Sequence, residues 1–156
     1  MATDRLGPII ETAVDKLTSA ASASGYFDLV LSHEPKSAPR DGLTFATWIT
    51  DIRPIAEQSG LAVTSARVEM MCRVYRNMTG EPQDRIDTEL AKASSYMLAE
   101  LTGDLGIDGA YLDLLGAHGD PLQTLFGYIT DLDKTAFRIA ETFAPFICPD
   151  VFDQAD

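Results

Sequence analysis

The sequence predicts an α+β fold, in which an antiparallel sheet of about four to five strands carries two helices packed on one face. Two segments place apolar residues at helical spacing, and several others alternate apolar and polar residues as strands do. These segments follow the order α-β-β-β-α-(short β)-β-β. A length of 156 residues with 46% hydrophobic content suits one domain with one core. We therefore expect a single domain over residues 1–150, followed by an acidic tail over 151–156. We also expect the end of the chain to be frayed from Pro149 onward.

The two helices are predicted from apolar stripes with polar residues on the opposite side. The first helix begins near Leu6 and ends at a serine- and alanine-rich run before Gly25, a typical C-terminal cap. The second covers Asp84 to Leu101, with Asp84 as its N-terminal cap. The stripes are Leu6, Ile9, Ile10, Ala13, Val14 and Leu17 in the first helix, and Ile86, Leu90, Ala93, Met97 and Leu101 in the second.

The clearest strand runs from Leu61 to Tyr75, where apolar and mostly polar residues alternate strictly. Its apolar side consists of Ala66, Val68, Met70, Cys72 and Val74, and its other side consists of Arg67, Glu69, Met71, Arg73 and Tyr75. The remaining strand candidates are Tyr26 to Leu31, Leu43 to Ile55, the short run Tyr111 to Leu115, Leu122 to Thr130, and Phe137 to Cys148.

Two features indicate contact surfaces. The segment Ser32 to Gly42 contains two prolines and mixed charges, which suits an exposed contact arm. The polar side of the long strand is either a solvated face or a face that meets a neighbouring subunit or lines a cavity. Mixed charges on such a face suit self-complementary contacts. The candidate interface residues are His33, Glu34, Lys36 and Arg40 in the arm, and Arg67, Glu69, Arg73 and Tyr75 on the strand.

The charge balance restricts the possible partners. There are 24 acidic and 12 basic residues, a formal net charge of −12. Such a chain lacks the lysine and arginine excess that neutralises nucleic-acid phosphates or anionic membrane surfaces. We find neither the pattern of a signal peptide at the N-terminus nor an apolar run of membrane-spanning length. We therefore predict no membrane partner, and we expect Cys72 and Cys148 to be buried thiols and not a disulfide.

The sequence shows no recognisable constellation of catalytic residues. The histidines, His33 and His118, lie in loop segments without the spacing of a metal site. Carboxylates cluster in turns, as at Asp131 and Asp133, where they are typical turn formers. A second group of carboxylates comprises Asp104, Asp108 and Asp113. We therefore expect no cofactor, no metal and no enzymatic activity.

Several stretches resemble the tail terminator proteins of long-tailed bacteriophages, in particular the versions found in actinobacteriophages. The likeness covers nearly the whole chain and depends on the combination of its parts. The stretches are Tyr26-Phe27-Asp28, Leu43–Arg53, Leu61–Asn77, Asp84–Leu101, Leu112–Gly116, Gly127-Tyr128-Ile129 and Lys134–Ile139.

This resemblance implies a virion protein that is assembled in the host cytoplasm into a ring, usually a hexamer. The ring sits on the head-proximal end of the tail tube, stops tube polymerisation and joins the tail to the head–tail connector. Its partners would be further copies of itself, the tail tube protein and the connector protein. DNA would pass through the lumen without specific binding, which fits a negatively charged wall that repels phosphate.

Two alternatives stay open at this point. One is another neck component, namely a head–tail connector or a tail tube subunit. The other is a small acidic enzyme or a host-modulating binding protein that uses a pair of carboxylates.

Overall fold

A computed structural model describes residues 4–37, 39, 42–56, 59–60, 62–79, 83–103, 105–131 and 133–153. These residues form two helices and six strands, and the predicted α+β class is confirmed. The helices are α1 (Leu6–Ala23) and α2 (Gln83–Thr102). The strands are β1 (Leu29–Leu31), β2 (Leu43–Ile55), β3 (Val63–Asn77), β4 (Tyr111–Leu112), β5 (Gln123–Thr130) and β6 (Ala136–Asp153).

The sheet is mixed and has one strand more than the largest predicted number. Its order is β1-β2-β3-β6-β4, and β5 also pairs with β6, next to β4 along the same edge. All pairs are antiparallel except β1 with β2, where Leu29 lies opposite Thr44 in a parallel register. The prediction of an entirely antiparallel sheet is therefore wrong. The segment between β1 and β2 is a crossover long enough to bring the chain back in the same direction, which a tight hairpin cannot do.

Both helices pack on the same face of the sheet, as predicted. Their apolar stripes meet the alternating apolar side chains of β3 and β6, and Phe45, Leu17 and Leu90 are completely buried between the layers. We call this side the helix face and the opposite side the open face. Because the stripe of each helix matches one face of the sheet, burial of these apolar surfaces is the main contribution to the stability of the fold.

The C-terminal end of β6 differs from the expectation. Val63 of β3 pairs with Asp153 of β6, and Val151 is buried in the main core. Arg5, just before α1, also forms an ion pair of 3.1 Å with Asp153. The expectation that the chain frays from Pro149 is therefore wrong as far as Asp153, and residues 154–156 lie outside the described part of the chain.

The open face has a small core of its own. Ala46, Tyr75, Phe137 and Ile139 are buried there, with Leu31, Trp48 and Ile129 packed around them. The open face of the sheet is therefore not fully exposed to solvent. This second core decides where the predicted interface residues lie.

Candidate interaction surfaces

Arg67 lies at the centre of a buried ion-pair cluster on the open face. Its side chain is only 1% exposed, and it lies 3.2 Å from a carboxylate oxygen of Asp113 and 3.2 Å from one of Glu69. Its remaining terminal nitrogen donates a hydrogen bond to the backbone carbonyl of Asp120. Since Asp113 and Asp120 lie at the two ends of the loop that follows β4, Arg67 fastens that loop to the sheet.

Asp113 connects Arg67 to the backbone of the loop that follows β4. Its carboxylate accepts hydrogen bonds from the backbone N–H groups of Ala117 at 2.8 Å and of His118 at 3.0 Å. Burial alone would raise the pKa of this carboxyl group. The two backbone hydrogen bonds, together with the hydrogen bond and the charge of Arg67, outweigh burial and hold its pKa below the usual value. Asp113 is therefore a charged structural group and not a proton donor in a cleft.

The loop over residues 113–121 is tightly constrained. Gly116 adopts a positive φ of 75°, and a Cβ on Gly119 would lie 2.6 Å from the guanidinium carbon of Arg67. Either glycine would therefore clash or be strained with a larger side chain. The loop nevertheless presents apolar residues to solvent, because Leu115 is 88% exposed and its neighbour Leu114 is also exposed.

Arg73 forms a second cluster on the open face, further along β3. Its guanidinium carbon lies 5.0 Å from the centre of the Trp48 ring and 5.5 Å from that of Tyr75. It also donates a hydrogen bond of 3.0 Å to the Tyr75 hydroxyl and lies 3.4 Å from Glu141. These contacts combine cation–π attraction with an ion pair, and they keep Arg73 in one orientation.

Tyr75 is an uncharged group in this arrangement. Burial raises the pKa of its phenol, and the hydrogen bond and charge of Arg73 offset part of that effect. The negative charges of Glu34 and Glu141 raise the pKa further.

The structure therefore divides the predicted interface residues into separate groups. Arg67 and Glu69 lie beside the loop over residues 113–121, whereas Arg73 and Tyr75 lie at the small core near the arm. A solvated face, one of the alternatives for this side of the strand, is wrong at Arg67 and Tyr75, because the loop covers Arg67 and the small core encloses Tyr75. His33, Glu34 and Lys36 are exposed, and Arg40 lies outside the described residues. An interface role for these residues stays a prediction.

Further exposed apolar surface lies at the sheet edges, which the sequence pattern did not indicate. On β5, Leu125, Phe126 and Tyr128 are each about half exposed, and on β1, Leu29 is 44% exposed. One sequence signal was available, since the segment Gln123–Thr130 carries no charged residue and no proline. Edge strands of soluble proteins usually contain such residues, which prevent pairing with other chains.

The two cysteines are free and buried, as predicted. Burial raises the pKa of the Cys72 thiol to about 12, although a contact with Thr47 lowers it slightly. Burial likewise raises the pKa of Cys148 to about 11. Both groups are therefore protonated thiols at neutral pH, and neither is an activated nucleophile.

Within the described part of the chain, no group of three or more histidine, cysteine, aspartate or glutamate side chains is placed to hold a metal ion. Neither α1 nor α2 is long and apolar enough to cross a membrane.

These features define an α+β protein whose six-stranded mixed sheet is covered by two helices on one face and carries apolar residues on both exposed edges. A chain in a structure described as the virion of a native gene transfer agent (GTA) particle has a similar fold, with a TM-score of 0.50 and 17% sequence identity. The match covers 86% of this chain and 91% of that chain. At this identity the likeness shows a shared fold. No family model matches the sequence, and no curated protein matches it.

Proposed function

We propose that this protein is a structural component of a phage-like virion, and specifically a tail terminator. In this role it forms a ring, with six copies as the expected number, on the head-proximal end of the tail tube. The ring ends tube polymerisation and joins the tail to the head–tail connector. The observation that carries the proposal is the fold shared with a chain of a gene transfer agent virion over most of both chains.

The residues that carry the family resemblance support the finer assignment. Most of them lie in the long central strands β2 and β3, which make up nearly half of the strand residues, and in α2, one of the two helices that cover the sheet. The resemblance is therefore based on the framework of the fold and not on a peripheral loop. A connector or tube subunit is the alternative, since it would share the virion location but occupy a different place in the particle.

Exposed apolar residues support assembly with other subunits. The edge strands and the loop over residues 113–121 present several large apolar side chains to solvent. Apolar surface of this kind in a soluble chain commonly marks a contact with another protein. A virion subunit would cover it in the assembled particle.

The positions of the described carboxylates favour a structural role over a catalytic one. Asp113 belongs to the Arg67 ion-pair cluster. Asp131 accepts backbone hydrogen bonds from Asp133 at 3.0 Å and Thr135 at 2.8 Å, and it is thus the predicted turn former. Asp104, which the sequence groups with Asp108 and Asp113 as a carboxylate cluster, lies outside the described residues. A net charge of −12 per copy additionally suits a conduit that does not retain DNA.

Deleting the gene from the virus that carries it tests this assignment by electron microscopy of the particles. We expect abnormally long tails, because polymerisation of the tube would no longer be stopped, and we expect complementation with the intact gene to restore the normal length. Particles without any tail would instead indicate a tube subunit. Tails of normal length that are separate from filled heads would indicate a connector.

A further inference from the structure

We infer that copies of this chain associate head to tail through their sheet edges, with β5 of one copy adding to β1 of the next. In this arrangement Leu125 lies beside Leu29 on the open face, and Phe126 enters the groove between α1 and β1. The inference uses the proposed function only in requiring that the chain assembles with itself, and it identifies the surfaces that do so.

The outer edge of β5 is available for pairing. Within the described residues, β5 pairs with β6 alone, so the backbone groups on its other side meet no strand. Leu125 and Phe126 point to opposite faces of the sheet, and both are about half exposed. The guanidinium of Arg138 in β6 lies 5.7 Å from the centre of the Phe126 ring and donates a hydrogen bond of 3.1 Å to the Gly127 carbonyl. The strand itself has eight residues, none of them charged, with apolar side chains on both faces, and such an edge is the type that pairs with another chain.

The outer edge of β1 offers a complementary site at the opposite end of the sheet. In the described chain β1 pairs only with β2. An open groove of about 610 Å³ lies next to it, bounded by Asp15, Thr18, Ser19, Ser22 and Ala23 of α1 and by Val30 and Ser32. Apart from the carboxylate of Asp15 these side chains are small, so the groove has room for a large side chain from outside.

The two edges match face for face. Phe126 lies opposite Ala140, and Val30 lies opposite Phe45, and both of these partners belong to the main core under the helices. Phe126 and the α1 groove are therefore both on the helix face. By the same register, Leu125 lies opposite Glu141 of the Arg73 cluster, on the open face. Leu29 lies on the open face too, because its neighbour Val30 faces the helices and side chains alternate along a strand. A sheet continued from β5 to β1 therefore places Leu125 on the same face as Leu29 and Phe126 on the same face as the groove, and the inferred register is the one in which these residues meet.

A second copy of the chain is the occupant that uses both edges at once. If β5 paired with β5 of another copy, the α1 groove and the edge of β1 would stay open. Pairing of β5 with β1 covers both. An open row of copies then has a β5 edge at one end and a β1 edge at the other, to which further copies can add. Head-to-tail contacts of this type close into rings when the rotation between copies permits.

Cysteine cross-linking tests this contact directly. The double variant L29C/L125C, treated with a short bismaleimide, is expected to form a series of covalent multimers on a denaturing gel. Each single variant is expected to stay monomeric on the same gel, because like positions do not meet. Cys72 and Cys148 are buried. The same treatment of the wild-type chain measures any background cross-linking through these two native cysteines. A covalent dimer from L125C alone, or the absence of multimers from assembled L29C/L125C, would overturn the inference.

A charge substitution in the same strand gives an independent measurement. We expect F126D to shift the chain to a monomer in analytical ultracentrifugation, with an unchanged melting temperature of the monomer. I52D is the matched control, because Ile52 of β2 is about as exposed as Phe126 but lies outside β1 and β5, and it should keep the wild-type association state. Equal association of F126D and wild type, or a wild-type chain that stays monomeric and fails to cross-link even within particles, contradicts the proposed contact.

These outcomes are separable from those of the gene deletion. Multimers linked through positions 29 and 125 without a change in tail length would contradict the terminator role and leave the contact intact. Long tails on deletion, with no link between these positions in assembled particles, would contradict the contact and leave the role intact.

Discussion

Replacement of Arg67 by alanine is expected to destabilise the protein by about 3–5 kcal/mol, the range for removal of one partner from a buried ion pair. The change leaves the buried carboxylate of Asp113 without its guanidinium partner. It also removes the ion pair between Arg67 and the partly buried Glu69. It also removes the hydrogen bond to the carbonyl of Asp120, which holds the far end of the loop. Urea unfolding, compared with wild type under the same buffer conditions, measures the loss.

Arg53 provides a matched control, because it lies opposite Arg67 in the pairing of β2 with β3. Its side chain is largely exposed, and its ion pair of 3.1 Å with Asp51 is also exposed. R53A should therefore cost about 1 kcal/mol or less, as is usual for exposed ion pairs. Equal effects of R67A and R53A would show that the Arg67 cluster does not contribute to stability.

The pH dependence of unfolding offers a second readout of the Arg67 cluster. The pKa of Asp113 is lower in the folded chain than in the unfolded chain, whose value is about 3.9. The stability that Asp113 contributes is thus fully present above that unfolded value and is lost as the pH falls through the lower folded value. D113N should therefore lose less stability than wild type on acidification through this range. Parallel pH profiles of the two proteins would contradict the assignment of a lowered pKa.

Replacement of Phe137 by alanine is expected to cost about 3–5 kcal/mol, as for other fully buried phenylalanines. Phe137 is completely buried, and it belongs to the small core of the open face with Tyr75 and Ile139. Its loss leaves a cavity that two paired strands cannot readily fill. Urea unfolding at concentrations where the chain is monomeric measures the effect.

Phe126 supplies the matched phenylalanine for this test. It lies on the adjacent strand β5 and is about half exposed in the single chain. F126A should therefore change the stability of the monomer by about 1 kcal/mol or less. A small effect of F137A, similar to that of F126A, would mean that the open face has no core of its own.

The strongly periodic segments were predictable from the sequence. The second helix was expected over Asp84 to Leu101 and is found over Gln83–Thr102, and the long strand was expected to start at Leu61 and is found over Val63–Asn77. In both, the spacing of apolar residues is a local property that determines which face is buried. β1 was also placed correctly within Tyr26 to Leu31. Its parallel pairing was not predicted, since only three residues take part and their partners lie across the long β1–β2 connection.

The candidate surfaces were less predictable, because they depend on contacts distant in sequence. Alternation along β3 correctly put Arg67, Glu69, Arg73 and Tyr75 on one face. It did not reveal that a loop 46 positions away would cover Arg67, nor that Phe137 would enclose Tyr75. The exposed residues of β5 were equally hidden, since a strand at an edge and a strand inside a sheet share the same local pattern.

Electron cryomicroscopy of the intact particle tests the tail terminator role directly. We expect a single closed ring of this chain, with rotational symmetry, between the tail tube and the head–tail connector. Within that ring, β5 of each copy should lie against β1 of its neighbour. A particle that lacks the chain, or one in which the chain is stacked repeatedly along the length of the tail, would contradict this role.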